Sequence, residues 1–244
     1  MTYKIYIQAQ NGFPISDWAA SAYFGFRQKQ SDIYFFEDIE QVPVSKYVIL
    51  IASIENTNVY LEKLRLPPKM SINIPQELIS YAGREISFMT LGEFKKMDKF
   101  PIFVKPNGRS KEFIAGVVDN KKVLEYAFYG IDDDRPVLVS EVVDFVSEYR
   151  GYVIGGELKG IKHYAGDFRM FPDMGVIDQA IKDYVTQPIG YSIDFGVVID
   201  VGNKKQDTLL IEINDGFALG NYGLNDVTYS TLLARRWIQM INKI

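Results

Sequence analysis

The 244-residue chain contains no cysteine and a single histidine, His163. The absence of cysteine excludes disulfides, thiolate metal sites and cysteine nucleophiles. One histidine is too few for a histidine-based zinc site, and a Ser-His triad would have to use that residue. His163 follows Lys162 on a predicted strand and therefore points to the opposite face. We interpret it as a packing or solvent-facing residue and not as a catalytic base.

Long apolar runs and an excess of positive charge are also missing. No segment approaches the roughly 20 apolar residues of a membrane span, and the start, MTYKIYIQAQ, lacks the apolar core of a signal peptide. The net charge of −4 gives no general attraction to nucleic acid or anionic membranes. We therefore expect a cytoplasmic protein that binds neither nucleic acid nor membrane. The sequence leaves the oligomeric state open.

The first part of the chain, up to about residue 88, alternates short apolar strands with helical stretches, as small α/β domains do. The segment YVILIA at 47–52 is apolar on both faces, which predicts a central strand in a parallel sheet. Helix-capping positions occur along the whole chain. They are Ser16 or Asp17, Ser53, Thr90 with Glu93, and Asp173.

Residues 191–216, YSIDFGVVIDVGNKKQDTLLIEINDG, are typical of a β-hairpin with a polar turn at 202–205. If the hairpin folds symmetrically about Asn203, position 194 lies opposite position 212. Because side chains alternate along a strand, the apolar residues then share one face, towards a core. They are Ile193, Phe195, Val197, Ile199, Leu209, Ile211 and Ile213.

The other face of this hairpin gathers Asp194, Glu212 and Asn214. Like charges directly opposite each other destabilise a sheet unless a cation lies between them. Three oxygen-bearing side chains suit a hard cation such as Mg²⁺, which keeps some waters and is completed by substrate phosphates. The alternative is a solvated hairpin face that carries acidic residues by chance.

A basic segment lies further upstream. Lys105 ends the apolar strand FPIFVKP at 100–106, where a lysine is costly to desolvate without an anionic partner. The following turn, NGRSK, contains Arg109 and Lys111, which together with backbone N–H groups can cradle phosphate. A solvated turn with ordinary surface cations is the alternative.

Further candidates follow. Exposed backbone at the end of the strand 137–143 can hydrogen-bond an adenine edge, and Glu148 can accept hydrogen bonds from ribose hydroxyls. Arg150 opens the next strand and offers a bidentate fork for phosphate, and Lys162 lies near it on the return strand. For Glu141 and Glu148, ordinary solvated surface is the alternative.

The order of FVKP, NGRSK, VLVSEVV, SEYR, SIDF and IEIND resembles the ATP-grasp superfamily. The segments FVKPNGRSKEFIAG, EYRGYVIGGELKGIKHY and INDGFALGNYGL resemble its small clade named for two arginines and a lysine. The resemblance covers about residues 88–244. It implies an α/β (α+β) fold in which a lid subdomain at 89–145 and a C-terminal subdomain at 146–244 grip a nucleotide. A small α/β domain at 1–88 would precede them.

The resemblance also implies roles for the candidate residues. Nucleotide contacts would come from Lys105, Arg109, Lys111, Glu141, Val142, Val143 and Glu148. The transferred phosphate or acyl substrate would meet Arg150 and Lys162. One or two Mg²⁺ ions between the phosphates would be held by Asp194, Glu212 and Asn214. Lys162 departs from the pattern, since relatives commonly carry arginine there, and a further upstream lysine has only Lys96 or Lys99 as candidates.

The implied activity is ATP- and Mg²⁺-dependent ligation of a carboxylate to an amine through an acyl phosphate, on an amino acid, peptide or protein end. Phosphoryl transfer of this kind needs positioning and charge neutralisation and no protein nucleophile. That requirement suits a chain with no cysteine and one histidine. The alternatives are kinase-like phosphoryl transfer without ligation and a non-catalytic nucleotide-binding or structural protein.

Overall fold

The computed structural model describes residues 2–108, 113–200 and 205–242. Arg109, Lys111 and the centre of the predicted hairpin turn, 202–204, therefore lie outside the described residues. In the described part of the chain the strands form three sheets of four, interleaved with helices. This mixed α and β architecture confirms the predicted fold class.

Strands and helices are interspersed along the chain. The strands are β1 (Lys4–Gln10), β2 (Phe13–Pro14), β3 (Asp32–Phe36), β4 (Val48–Ile51), β5 (Ile86–Thr90), β6 (Ile102–Pro106), β7 (Gly116–Val118), β8 (Pro136–Ser140), β9 (Ser147–Ile154), β10 (Glu157–Gly166), β11 (Gly190–Asp200) and β12 (Lys205–Asp215). The α-helices are α1 (Asp17–Gln28), α2 (Ile54–Lys63), α3 (Leu91–Phe94), α4 (Lys121–Ala127), α5 (Met174–Asp183) and α6 (Asp226–Ile241). Short 3-10 helices occupy Ile39–Gln41 and Gln76–Ala82.

Polar side chains begin the helices where the sequence predicts them. Each cap accepts a hydrogen bond from a backbone N–H of the first turn, which would otherwise lack a partner. The predicted caps that do so are Ser16 for α1, Ser53 for α2, Thr90 for α3 and Asp173 for α5. At α3, Glu93 completes the capping box by accepting from the N–H of Thr90.

The first sheet is largely parallel, with β1 between β3 and β4. The prediction that 47–52 forms a central strand is wrong, because β4 pairs only with β1 in the described part of the chain. Helix α6 packs over this strand, and the indole of Trp237 donates a hydrogen bond to the Val48 carbonyl at 2.6 Å. The edge strand is thus buried by a helix and has the apolar composition of a central one.

The second sheet has the order β5-β8-β6-β7 and is antiparallel. It covers its own apolar core, to which α3 contributes Leu91 and Phe94 and β8 contributes Val137 and Val139. Lys105 lies on β6, near the end of the strand. The domain limits 1–88, 89–145 and 146–244 stay a prediction.

The third sheet has the order β10-β9-β11-β12, and all its pairs are antiparallel. One face packs against α5 and the 3-10 helix Gln76–Ala82. The strand residues in this core include Tyr191, Ile193 and Phe195. The opposite face carries the charged residues described below.

The predicted hairpin register holds at the base of the β11–β12 pair. Asp194 lies opposite Glu212, as symmetry about Asn203 requires. One residue further on, a β-bulge shifts the register, so that Phe195 pairs with Leu210. The prediction that Leu209 and Ile211 lie on the core face is therefore wrong: the fully buried residue is Leu210.

Candidate active site

Four charged residues form one row across the third sheet. Lys162 pairs with Arg150, Arg150 with Asp194, and Asp194 with Glu212. Directly opposed residues of antiparallel strands share a face, so this row places two cations beside two carboxylates. His163 falls on the other face, where its ring packs edge-on against that of Tyr149 at 5.1 Å, in agreement with the packing interpretation.

Arg150 and Asp194 form a buried, two-bonded ion pair. Nε of Arg150 donates to Oδ1 of Asp194 at 2.8 Å, and Nη2 donates to Oδ2 at 2.6 Å. Asp194 is only 1% exposed, and burial raises the pKa of its carboxyl to about 6 although Arg150 opposes the shift. Burial alone would lower the pKa of Arg150, but its hydrogen bonds with Asp194 and the carboxylate charge outweigh burial and raise it.

Lys105 reaches the same place from the second sheet. Its ammonium forms an ion pair with Oε2 of Glu212. The predicted need of this lysine for an anionic partner is thus met by a carboxylate of the hairpin. Burial would raise the pKa of Glu212, but Lys105, Asn214 and Arg150 together lower it.

The side-chain amide of Asn214 joins the two carboxylates. Its Nδ2 donates to Oε1 of Glu212 at 2.8 Å and lies 3.3 Å from Oδ2 of Asp194. Rotating the amide by half a turn puts its oxygen where the nitrogen is, beside both carboxylates. Two carboxylates and one amide oxygen are donors that Mg²⁺ accepts, provided that waters and phosphates complete its shell. In the described part of the chain no group of three or more His, Cys, Asp and Glu residues could hold a metal.

Two tyrosines that were not predicted as site residues flank Arg150. The rings of Tyr164 and Tyr222 stack at 5.2 Å, and the guanidinium of Arg150 lies 4.9 Å from the Tyr222 ring centroid. The hydroxyl of Tyr164 donates to Glu148 at 2.7 Å. The one sequence signal for Tyr164 is its place two residues after Lys162, which puts it on the charged face.

These groups line a cleft of about 830 Å³ between the second and third sheets. Its charged lining includes Lys105, Arg150, Asp194 and Glu212. The segment 69–73 forms another wall and ties the two sheets together. Ser71 donates to the Gly108 carbonyl of the basic turn at 3.0 Å, and the Asn73 carbonyl accepts from the N–H of Ile213 at 2.6 Å.

The residues predicted to meet adenine and ribose are not among those that line the cleft. Glu141 is exposed, accepts from the N–H of Glu85 at 3.1 Å and lies 3.7 Å from the ammonium of Lys99. Val142 is 40% exposed, and Glu148 is held by Tyr164. The nucleotide roles of Glu141, Val142, Val143 and Glu148 stay predictions, as does the substrate role of Lys162.

The sequence match decides the family. The model for the ATP-grasp domain of the clade named for two arginines and a lysine, family 2 of that clade, matches residues 81–232, more than half of the chain. This chain belongs to that clade of ATP-grasp proteins. The resemblance stated from the motifs is therefore confirmed. No curated protein sequence matches this ATP-grasp chain.

Solved structures share the ATP-grasp fold at low sequence identity. D-alanine–D-alanine ligase from Bacillus anthracis complexed with ATP has a TM-score of 0.56 and 14% identity, over 99% of this chain and 97% of that one. A RimK domain ATP-grasp protein from Sphaerobacter thermophilus has a TM-score of 0.57 and 13% identity, over 96% and 99%. An L-amino acid ligase from Bacillus licheniformis has a TM-score of 0.55 and 14% identity, over 98% and 74%. These likenesses establish the fold.

No helix in the described part of this ATP-grasp chain is long and apolar enough to cross a membrane.

Proposed function

We propose that this ATP-grasp protein is an ATP- and Mg²⁺-dependent carboxylate–amine ligase that works through an acyl phosphate on an amino acid, peptide or protein end. The observation that carries the proposal is the charged row Lys162–Arg150–Asp194–Glu212, which Lys105 meets from the second sheet. The row combines cations for phosphate with oxygen ligands for a metal, and with Lys105 it faces one cleft between two sheets.

The nucleotide phosphates would lie in the cleft between the two sheets. Lys105 would leave Glu212 and bind the α- and β-phosphates, and the basic turn that contains Arg109 and Lys111 would close over them. Asp194, Glu212 and Asn214 would hold Mg²⁺, which supplies charge neutralisation to the phosphates. Asn214 already bridges the two carboxylates, so little rearrangement is needed to present its amide oxygen.

The chemistry proceeds in two displacements. A substrate carboxylate oxygen attacks the γ-phosphorus of ATP, the bond to the bridging oxygen breaks, and ADP leaves. The amine nitrogen then attacks the acyl carbon, inorganic phosphate leaves, and the nitrogen loses a proton. Arg150 and Lys162 would stabilise the negative charge on the transferred group, since both project from the charged face. The printed names of two structural neighbours, a D-alanine–D-alanine ligase and an L-amino acid ligase, support this reaction class.

The test is a survey of ADP and phosphate release with Mg-ATP and panels of amino acids and peptides. The proposal expects release that requires both a carboxylate and an amine, with an amide product seen by mass spectrometry. A stable phosphorylated product without amide would instead identify a kinase-like activity. Binding of Mg-ATP without any turnover across the panels would favour a nucleotide-binding protein, and failure to bind millimolar Mg-ATP would reject all three.

A further inference from the structure

The β-bulge in β12 decides which face Glu212 occupies. Beyond the bulge Phe195 pairs with Leu210, and at the base of the hairpin Asp194 pairs with Glu212. If the Phe195–Leu210 register continued, Asp194 would face Ile211, and Glu212 would point into the apolar core. A one-residue slip moves every side chain to the other face of a sheet. The extra residue, Ile211, is therefore what brings the second carboxylate to Asp194.

A bulge leaves backbone groups outside the regular ladder, and buried carbonyls need other donors. Arg84 supplies them from outside the sheet. Its Nη1 donates to the Leu210 carbonyl at 2.8 Å and its Nη2 to the Ile211 carbonyl at 3.2 Å. Nη1 also donates to the carbonyl of Ala82, at the end of the 3-10 helix, at 3.0 Å. The arginine fork thus spans the two carbonyls that immediately precede Glu212.

The hydrogen-bond partners of Arg84 indicate that this side chain stabilises backbone. Within the described residues it forms no ion pair, and its hydrogen bonds go to carbonyl oxygens alone. The ring of Phe145 covers the guanidinium at 5.8 Å. Desolvating an arginine with no carboxylate partner is costly, which makes a dedicated structural task for this side chain the simplest explanation.

We propose that Arg84 is a positioning residue for Glu212: its guanidinium holds the bulge at Ile211 and so keeps the metal-binding carboxylate opposite Asp194. The inference rests on the proposed function, because it assumes that Glu212 is a ligand of Mg²⁺. Arg84 itself is not among the residues that line the cleft, so it acts through the backbone of β12.

The experiment compares Arg84→Met, Arg84→Lys and Tyr60→Phe with the unaltered protein. Tyr60→Phe is the control, since it removes a half-buried hydrogen bond, from the Tyr60 hydroxyl to the Pro43 carbonyl, beside the first sheet. The measured quantities are the Mg²⁺ concentration that half-saturates ATP binding and the amide hydrogen exchange of residues 209–213. Arg84→Met should raise the half-saturating Mg²⁺ concentration at least tenfold and should speed the amide exchange of residues 209–213. Arg84→Lys keeps the charge but loses the two-pronged donor, so both quantities should lie between those of the unaltered protein and Arg84→Met. Tyr60→Phe should change neither quantity.

Glu212→Gln distinguishes the positioning role of Arg84 from the proposed metal site itself. If Glu212→Gln weakens Mg²⁺ binding and Arg84→Met leaves both quantities unchanged, the positioning role is wrong and the proposed function stands. If Glu212→Gln leaves Mg²⁺ binding unchanged, the metal site of the proposed function fails, and the role of Arg84 fails with it. Should Arg84→Met not fold, Arg84→Lys decides on the same two measurements.

Discussion

Arg150 and Asp194 are cross-strand partners whose side chains are locked together by two hydrogen bonds in a nearly water-free environment. The pair holds both side chains in position without a ligand. The guanidinium presents its remaining surface to Tyr222 and to the cleft. Such preorganisation suits a site whose task is to position charges.

The first prediction concerns this pair. Arg150→Met should lower the free energy of unfolding by about 3 kcal/mol, because Asp194 is then a buried carboxylate without its partner. Lys162→Met in the same row is the matched control and should cost less than about 1 kcal/mol, since Lys162 is only half-buried. Urea unfolding of the ligand-free proteins measures both. Equal losses in the two variants would contradict the energetic importance of the Arg150–Asp194 pair.

The second prediction concerns Glu212. Glu212→Gln should abolish turnover, because a neutral amide is a poor ligand for Mg²⁺. From the sequence we expect the fold to survive or even gain stability from reduced repulsion with Asp194. The structure argues against a gain in stability, because Lys105 and Arg150 already neutralise the charges of the two carboxylates. Thermal melting without ligand should therefore show a slightly lower midpoint for Glu212→Gln, and a clearly higher midpoint would contradict the charge balance.

The third prediction is a pair of opposite effects in Lys105→Ala. Because the proposed partners of Lys105 are the nucleotide phosphates, ATP and ADP should bind more weakly and adenosine should be little affected. Mn²⁺ without nucleotide should bind more tightly, since the ammonium no longer competes for Glu212. Calorimetric titration measures the nucleotides and electron paramagnetic resonance the Mn²⁺. Lys159→Ala, which removes an exposed lysine paired with Glu157, should alter neither. Weaker Mn²⁺ binding to Lys105→Ala would refute the competition.

Much of this site could be predicted from sequence because strand alternation and a symmetric turn fix which residues face each other. That arithmetic predicts the pairing of Asp194 with Glu212 correctly, although the pairs from Phe195–Leu210 to Asp200–Lys205 are shifted by one residue and the bulge at Ile211 restores the register. The bulge at Ile211 could not be predicted, since no glycine or proline marks it and its stabilising donor, Arg84, is 127 residues away. The edge position of β4 could not be predicted for a similar reason: the helix that buries this strand, α6, comes from the other end of the chain.

The fourth prediction concerns pH. The pKa of Asp194 is raised to about 6, so its carboxyl gains a proton as the pH falls through that value. Because the folded protein binds this proton more readily than the unfolded chain, the contribution to stability is present at low pH and lost as the pH rises through about 6. The proposed Mg²⁺ site needs the ionised carboxylate of Asp194, so Mg²⁺ should bind progressively less well below pH 6. Titrations between pH 5 and 8 test this, and an affinity independent of pH would contradict it.

Ser192 lies directly opposite Asn214 and shares the charged face with Asp194. Its hydroxyl is buried and has no hydrogen-bond partner among the residues that the structure describes, although buried hydroxyls normally have one. If Asn214 presents its oxygen to Mg²⁺, as proposed, its amide nitrogen leaves the two carboxylates and needs a new acceptor. Directly opposed side chains in a sheet are close enough for the Ser192 hydroxyl to be that acceptor.

The fifth prediction follows from this arrangement. Ser192→Ala should leave the melting midpoint of the ligand-free protein nearly unchanged, because no hydrogen bond is lost, yet weaken Mg²⁺ binding severalfold. Ser147→Ala is the matched control. The Ser147 hydroxyl is equally buried and also has no partner within the described part of the chain, but Ser147 lies on β9 opposite Val197, away from Asn214. Ser147→Ala should leave Mg²⁺ binding unchanged. Equal effects of the two variants on Mg²⁺ would show that Asn214 does not turn towards Ser192 when the metal binds.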